Sequence, residues 1–262
     1  MGLTRRSGGS RAMQEGFLKR QYSGADYVVA LAGNPNTGKS TVFNALTGLN
    51  QHTGNWPGKT VLRAEGRYIH RGMIFKLVDL PGTYSLMANS PEEQVARDYL
   101  CFGKPDATVV VADATCLERN LNLVLQVLEI TTRVVVCVNL VDEARRKKIK
   151  IDFQLLAAEL GVPVVPAAAR HRHGLDKLVE VVSEMAAGRI TTRPVAIRYG
   201  EEIEESVRKL EPKIKKLVGE EFNSRWLALR LLDKDRAVLA ALENWLAGRN
   251  SLAAGMEGVI LG

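Results

Sequence analysis

Apolar positions follow two alternating rhythms along the first two thirds of the chain. Short, nearly continuous runs rich in valine stand at 27–32 (YVVALA), 107–112, 133–139 and 162–166. Between and after them, at about 117–130, 152–160 and 175–187, apolar residues recur three and four positions apart. A short apolar run bounded by turn residues fits a strand buried on both faces, and the wider spacing fits the helices that cover it. The pattern predicts an α/β fold with a mostly parallel sheet. Two further strands, at 60–70 and 73–78, are separated only by Arg71-Gly72, a turn so tight that the pair is predicted antiparallel. The stretch 49–59 (LNQHTGNWPGK) is polar and turn-rich and reads as a long loop. Ser90-Pro91-Glu92-Glu93 reads as an N-cap, a proline at the first helical position and two first-turn acids, opening a helix to about Cys101.

Beyond Thr191-Thr192-Arg193-Pro194 the strand rhythm stops. Charged sequence with helical spacing takes over at about 201–218, 224–231 and 235–246, with apolar stripes such as Leu227, Leu231, Leu239, Leu242 and Leu246. This predicts a small all-helical appendage in which Trp226 and Trp245 are core residues. Its last stretch, SLAAGMEGVILG, has no terminator after its apolar end and reads as cut rather than finished.

Chemistry enters with the turn after the first strand. Gly33-Asn34-Pro35-Asn36-Thr37-Gly38-Lys39-Ser40 joins a strand to a helix beginning near Thr41, the setting in which backbone N–H groups and a helix N-terminus hold phosphate. In this setting Lys39 reaches the outer phosphates and the Ser40 hydroxyl holds magnesium. The strand assignments bring three more polar segments to the same sheet edge, where open α/β sheets bind ligands. They are Asp79-Leu80-Pro81-Gly82, Asn139-Leu140-Val141-Asp142 and Ala167 to Arg170. Asp79 is placed to hold magnesium through a water, and the Gly82 N–H to meet a γ-phosphate. Asn139 and Asp142 offer an acidic acceptor for the N1–H and exocyclic amine of guanine, a donor pair that adenine lacks; the set points to GTP. Asn36 has two readings: its carbonyl oxygen can hold a monovalent cation beside the β–γ bridge, or its side chain stabilises the loop turn. The residue after Gly82 is Thr83, where Ras-type switches carry the glutamine that orients water, so slow intrinsic hydrolysis is expected.

Over residues 27–188 these motifs resemble the translation-factor-related GTPases, and hence a Ras-like P-loop GTPase with a six- or seven-stranded sheet. Within that class, GNPNTGKST, QHTGNWPGKTV, DLPGTYSL, SPEEQVARDYL and DATCLERNLNL are similar to the N-terminal cytosolic domain of bacterial ferrous iron transport protein B. The helical appendage matches in position and size. The resemblance implies three parts: a flexible basic extension at 1–25, a GTP-binding domain at 26–188 and a helical regulatory domain at 189–262. It implies that Thr60 joins magnesium and the γ-phosphate in the first switch, that Gly58 and Thr41 belong to the nucleotide-binding set, and that Asn36 coordinates an activating potassium ion. Ala168-Ala169 stand where these proteins usually carry a serine-alanine pair at the guanine O6. The Ala169 N–H still donates, but a bracing hydroxyl is lost, so weak guanine binding with fast release is expected. The resemblance further implies that the appendage modulates GDP affinity and links the switches to a membrane permease, on the cytoplasmic face of the bacterial inner membrane. Small cytosolic accessory proteins and a homo-oligomer are admitted as partners. Iron is expected to cross the membrane part, and His52, His70, His171 and His173 are expected on surfaces or loops.

The net charge of +7 raises nucleic acid as a partner, but residues 1–25 carry +4 of it, and residues 198–262 hold eleven basic and eleven acidic side chains. A ribosome- or RNA-associated assembly GTPase, using the tail and Arg145-Arg146-Lys147-Lys148, is the alternative function. No nucleic-acid-binding signature accompanies it. Cys101, Cys116 and Cys137 are too few and too scattered for a disulfide framework or a metal site.

Overall fold

A computed structural model describes residues 24–49, 51–57, 59–87, 89–243 and 245–247. The described chain falls into two compact units, one reaching Ile197 and one beginning at Arg198. The proposed flexible extension at 1–25 lies almost wholly outside the described residues, as does the apolar C-terminal stretch.

The first unit is built on a seven-stranded sheet with spatial order β2-β3-β4-β1-β5-β6-β7. The strands are β1 (Tyr27–Gly33), β2 (Gln51–Asn55), β3 (Leu62–His70), β4 (Met73–Asp79), β5 (Ala107–Asp113), β6 (Val134–Asn139) and β7 (Val164–Pro166). The pairs from β4 through β1, β5 and β6 to β7 are parallel, while β2 with β3 and β3 with β4 are antiparallel. β1 is central, so its C-terminal turn opens in the middle of the sheet edge. The helices are α1 (Lys39–Thr47), α2 (Pro91–Phe102), α3 (Leu117–Ile130), α4 (Val141–Arg146), α5 (Phe153–Leu160) and α6 (Leu175–Ala186). α2 starts as its sequence predicts, with the Ser90 hydroxyl accepting from the Glu93 N–H and Pro91 in the first turn.

The strands alternate between two dry faces. Val29, Leu31, Val109, Val111, Val135 and Cys137 join Phe43 of α1 and Leu178, Val182 and Met185 of α6 in one cluster. Ala30, Val110 and Val136 point the other way and are just as buried, and α3 packs on that part of the sheet. Burying a valine or leucine this fully stabilises by about 1.5–3 kcal/mol, and β5 carries one polar residue within its apolar run, the buried Thr108.

Two segments differ from what their residue pattern predicts. Residues 51–55 are a strand, not loop: they pair with 62–66 from Gln51↔Gly66 to Asn55↔Leu62. A polar edge strand held by backbone pairing leaves no apolar alternation to read. Residues 141–146 form a short helix that the sequence reading passed over, because it has one buried residue, Ala144, and four charged ones.

In the second unit, α7 (Glu201–Val218) and α8 (Ser224–Leu232) pack through Val207, Ile214, Val218, Trp226 and Leu227, all buried. Residues 236–243 are helical as well. Trp226 is a core residue, and Trp245, half-buried, meets Phe222 edge-on at 4.8 Å between ring centroids. Among the described residues no helix is long and apolar enough to cross a membrane.

Candidate nucleotide site

The loop between β1 and α1 is pinned from below. Gly33 ends β1, and a side chain there would sit 2.6 Å from the Val111 carbonyl of β5, so the residue must be glycine for the strands to close. Asn34 and Thr37 are buried, and the Thr37 hydroxyl donates to the Asn34 carbonyl at 3.0 Å. Pro35 is half-buried and Asn36 is exposed with φ 66. Asparagine is among the few residues that take this left-handed geometry readily. Its side chain makes no hydrogen bond within the described protein, so backbone conformation, not an amide contact, serves the turn. Gly38 caps α1 with φ 79, and a Cβ on it would collide with the Asn139 amide nitrogen. Lys39, Ser40 and Thr41 occupy the first turn of α1, the last two exposed.

Asp79 ends β4, next to β1 in the sheet, and its carboxylate pairs with the Lys39 ammonium. Lys39 also donates to the Leu80 carbonyl at 2.7 Å. Burial pushes the Asp79 carboxyl above its ordinary range, and Lys39 pulls back against that. The following turn is tied to the phosphate loop's own strand by Leu80 N–H to Leu31 O at 2.9 Å and Thr83 N–H to Gly33 O at 3.3 Å. Gly82 sits exposed between them. The exposed Ser40 hydroxyl and the half-buried Asp79 carboxylate are hard oxygen donors of the kind that fit magnesium.

The base-reading segments are joined to the phosphate loop by one side chain. Asn139 ends β6 and is 1% exposed. Its amide nitrogen donates to the Thr37 carbonyl at 3.0 Å, and its amide oxygen accepts the Ala169 N–H at 3.0 Å. Leu140 then turns left-handed, with φ 62, and Asp142 lands in the first turn of α4. Asp142, Arg145, Ala168, Ala169, Arg170 and His171 are among the residues lining a cavity of about 420 Å³. The loop over it is more tightly built than the missing serine hydroxyl suggests. Ala168 and His173 exchange backbone hydrogen bonds of 3.0 and 3.2 Å, and Arg172 reaches the Ala45 carbonyl of α1 at 2.9 Å.

The structure thus brings Gly33 to Thr41, Asp79, Asn139 and Ala169 into one connected edge, with Asp142 and Ala168 on the cavity beside it. Thr60 stands apart: it is exposed between β2 and β3, with no hydrogen bond to the phosphate loop. Gly58 lies outside the described residues. Four contacts escaped the sequence reading. His171 lies beside Asp142, and Gln126 of α3 accepts the Leu86 N–H at 2.6 Å. Glu93 of α2 accepts from the Ser85 hydroxyl at 2.9 Å, and Arg119 lies 4.4 Å over the Tyr84 ring. The last three fasten the segment after Gly82 to the helices. The charge and hydrogen-bonding capacity of these residues were visible, but not their partners.

A parallel sheet carrying a phosphate loop after its central strand, an Asp-x-x-Gly turn beside it and an Asn-x-x-Asp segment bonded to both loops defines a Ras-like P-loop GTPase domain. The family model for ferrous iron transport protein B matches residues 27–182, and that for the FeoB cytosolic helical domain matches 199–257. The chain belongs to the ferrous iron transport protein B family. It is 42% identical over 226 residues to the Fe(2+) transporter FeoB of Methanocaldococcus jannaschii, covering 83% of this chain and 32% of that one. Against the Fe(2+) transporter FeoB of Escherichia coli K12 it is 37% identical over 214 residues, covering 79% of this chain and 27% of the relative. Among solved structures, the cytosolic domain of the T. maritima FeoB iron transporter in a GDP form superposes with a TM-score of 0.75 at 38% identity, over 83% of this chain and 84% of that one. The cytosolic domain of L. pneumophila FeoB gives 0.73 at 31% identity, over 82% and 88%. The chain therefore spans about a third or less of the length of these curated relatives.

Proposed function

We propose that the chain binds and slowly hydrolyses GTP and, as the cytosolic part of a longer protein, controls ferrous iron import through a membrane permease part at the cytoplasmic face of the inner membrane. The observation that carries the guanine reading is Asn139, whose single side chain bonds the phosphate loop at Thr37 and the base loop at Ala169. With Asp142 on the adjoining cavity, an acceptor faces the position of a base whose phosphates lie at Lys39.

Lys39 stands in the first turn of α1 beside Asp79, with which it pairs, where its ammonium can meet the outer phosphates and the Asp79 carboxylate can serve the metal. Ser40 and Asp79, with Thr60 joining them in the GTP state, would hold magnesium, which would supply positive charge to the phosphate oxygens. Thr60 has to move inward for this, which suits its exposed place in a loop. The catalytic group consists of Asn36, Lys39 and Thr60, and the binding set runs from Gly33 to Thr41 with Gly58, Thr60, Asp79, Gly82, Asn139, Asp142, Ala168 and Ala169.

Asn36 has an unspent carbonyl oxygen next to the phosphates, and we assign it to potassium. A cation there offsets charge on the leaving oxygen without an arginine. Turnover is expected to be faster in potassium than in sodium, and Asn36→Ala to remove the difference; stimulation unchanged in the variant refutes the assignment. For the whole function, ferrous uptake by cells expressing the full-length protein with Lys39→Ala is expected to fall to the background of cells lacking it. Full uptake by that variant contradicts a nucleotide-driven role. Membership in a ferrous iron transport family weighs against the RNA-associated alternative.

A further inference from the structure

We infer that His171 is a positioning residue for guanine recognition, holding the Asp142 carboxylate toward the base through Nε2. The inference rests on the guanine reading above. Asp142 stands on a helix of six residues, its side chain 35% exposed. Nothing on that helix fixes its carboxylate. Glu143 is taken by Arg146 at 3.5 Å, and the other charged side chains on the cavity, Arg145 and Arg170, make no ion pair with Asp142. Among the described residues, the group that reaches it is His171 Nε2, 3.5 Å from Oδ2.

The backbone that carries His171 is held, while its side chain is 65% exposed. His171 ends a three-residue 3-10 turn, its backbone N–H donates to the Ala168 carbonyl at 2.9 Å, and the bridge between Ala168 and His173 closes the loop around it. A carboxylate left to rotate loses that freedom when it must meet two N–H groups of one base edge at once. An imidazole N–H on Oδ2 removes part of that cost in advance. Ala168, whose methyl lines the same cavity, has no polar atom to share the task.

The test compares GDP with IDP by calorimetry on the purified chain. Inosine lacks the exocyclic amine and uses one of the two contacts to Asp142, so it profits less from an oriented carboxylate. His171→Ala is expected to weaken GDP by about two- to fivefold, the range of a partly exposed charged contact, and to lower the GDP-to-IDP preference. Melting the same variant without nucleotide separates this from a general loosening of the loop, which lowers the melting temperature and weakens GDP and IDP alike. The inference is overturned if His171→Ala leaves GDP affinity and the preference unchanged. It is overturned equally if the variant weakens GDP and IDP alike. A parent chain that prefers ADP to GDP sinks the guanine reading itself, whereas GDP preference indifferent to His171 sinks only this inference.

Discussion

Asn139→Ala cuts both threads between the phosphate loop and the base loop. The side chain is 1% exposed and makes two hydrogen bonds of 3.0 Å, one to the Thr37 carbonyl and one from the Ala169 N–H. Each bond contributes about 1 kcal/mol net, and a buried backbone group left without a partner costs about 1–3 kcal/mol. Thr37 and Ala169 are both buried, so water replaces the lost partner poorly. The first unit should lose about 2–5 kcal/mol, which for a domain of this size lowers the melting temperature by about 5–15 °C. Nucleotide affinity should fall as well, by about 30-fold or more, because the phosphates and the base are held by loops no longer fixed to each other. Thermal melting without nucleotide and calorimetric titration with GDP measure the two effects separately. A variant that melts like the parent and keeps GDP affinity within about threefold refutes the claim that this side chain couples the two halves of the site.

Gly38→Ala should cost about 100-fold or more in GDP affinity while the chain still folds, since its Cβ collides with Asn139 and a left-handed φ strains any L side chain; retained binding would show that the loop can shift. In the helical unit, Arg225 holds Glu204 through hydrogen bonds of 2.7 and 2.9 Å, and the Tyr199 N–H adds a third at 2.9 Å. These bonds bring the Glu204 carboxyl down from 4.5 to about 2. A depressed carboxyl contributes stability that is full above its unfolded value and is lost as pH falls toward its folded one. Circular dichroism melts of Glu204→Gln should therefore lose less stability than the parent between those two values, and parallel curves would contradict the assignment.

How much was legible followed from what each signal depended on. The phosphate loop could be read because glycine, lysine and serine at fixed spacing are demanded by backbone geometry that only a few residues satisfy. The parallel strands could be read because a strand dry on both faces leaves a continuous valine run. Residues 51–55 could not, since an edge strand with four polar or glycine neighbours around Thr53 is held by pairing to β3, a partner outside its own sequence. The Lys39–Asp79 pair was hidden for a related reason: both side chains were assigned to a ligand, and their pairing with each other arises from β4 lying beside β1 in the sheet. The loss of a serine at Ala168 was visible, but the backbone bridge to His173 and the approach of His171 to Asp142 arise from a turn whose shape the residue types alone do not dictate.

Exchanging the acceptor at the base tests the central claim most directly. Guanine offers Asp142 an N1–H and an amine; xanthine carries an oxygen where that amine stood, which a side-chain amide can meet with a donor. Titrating parent and Asp142→Asn chains with GDP, XDP and ADP should show the parent choosing GDP and the variant choosing XDP, with ADP weak for both. An unchanged order of preference in the variant, or ADP bound as well as GDP by the parent, would mean that Asp142 does not read the base.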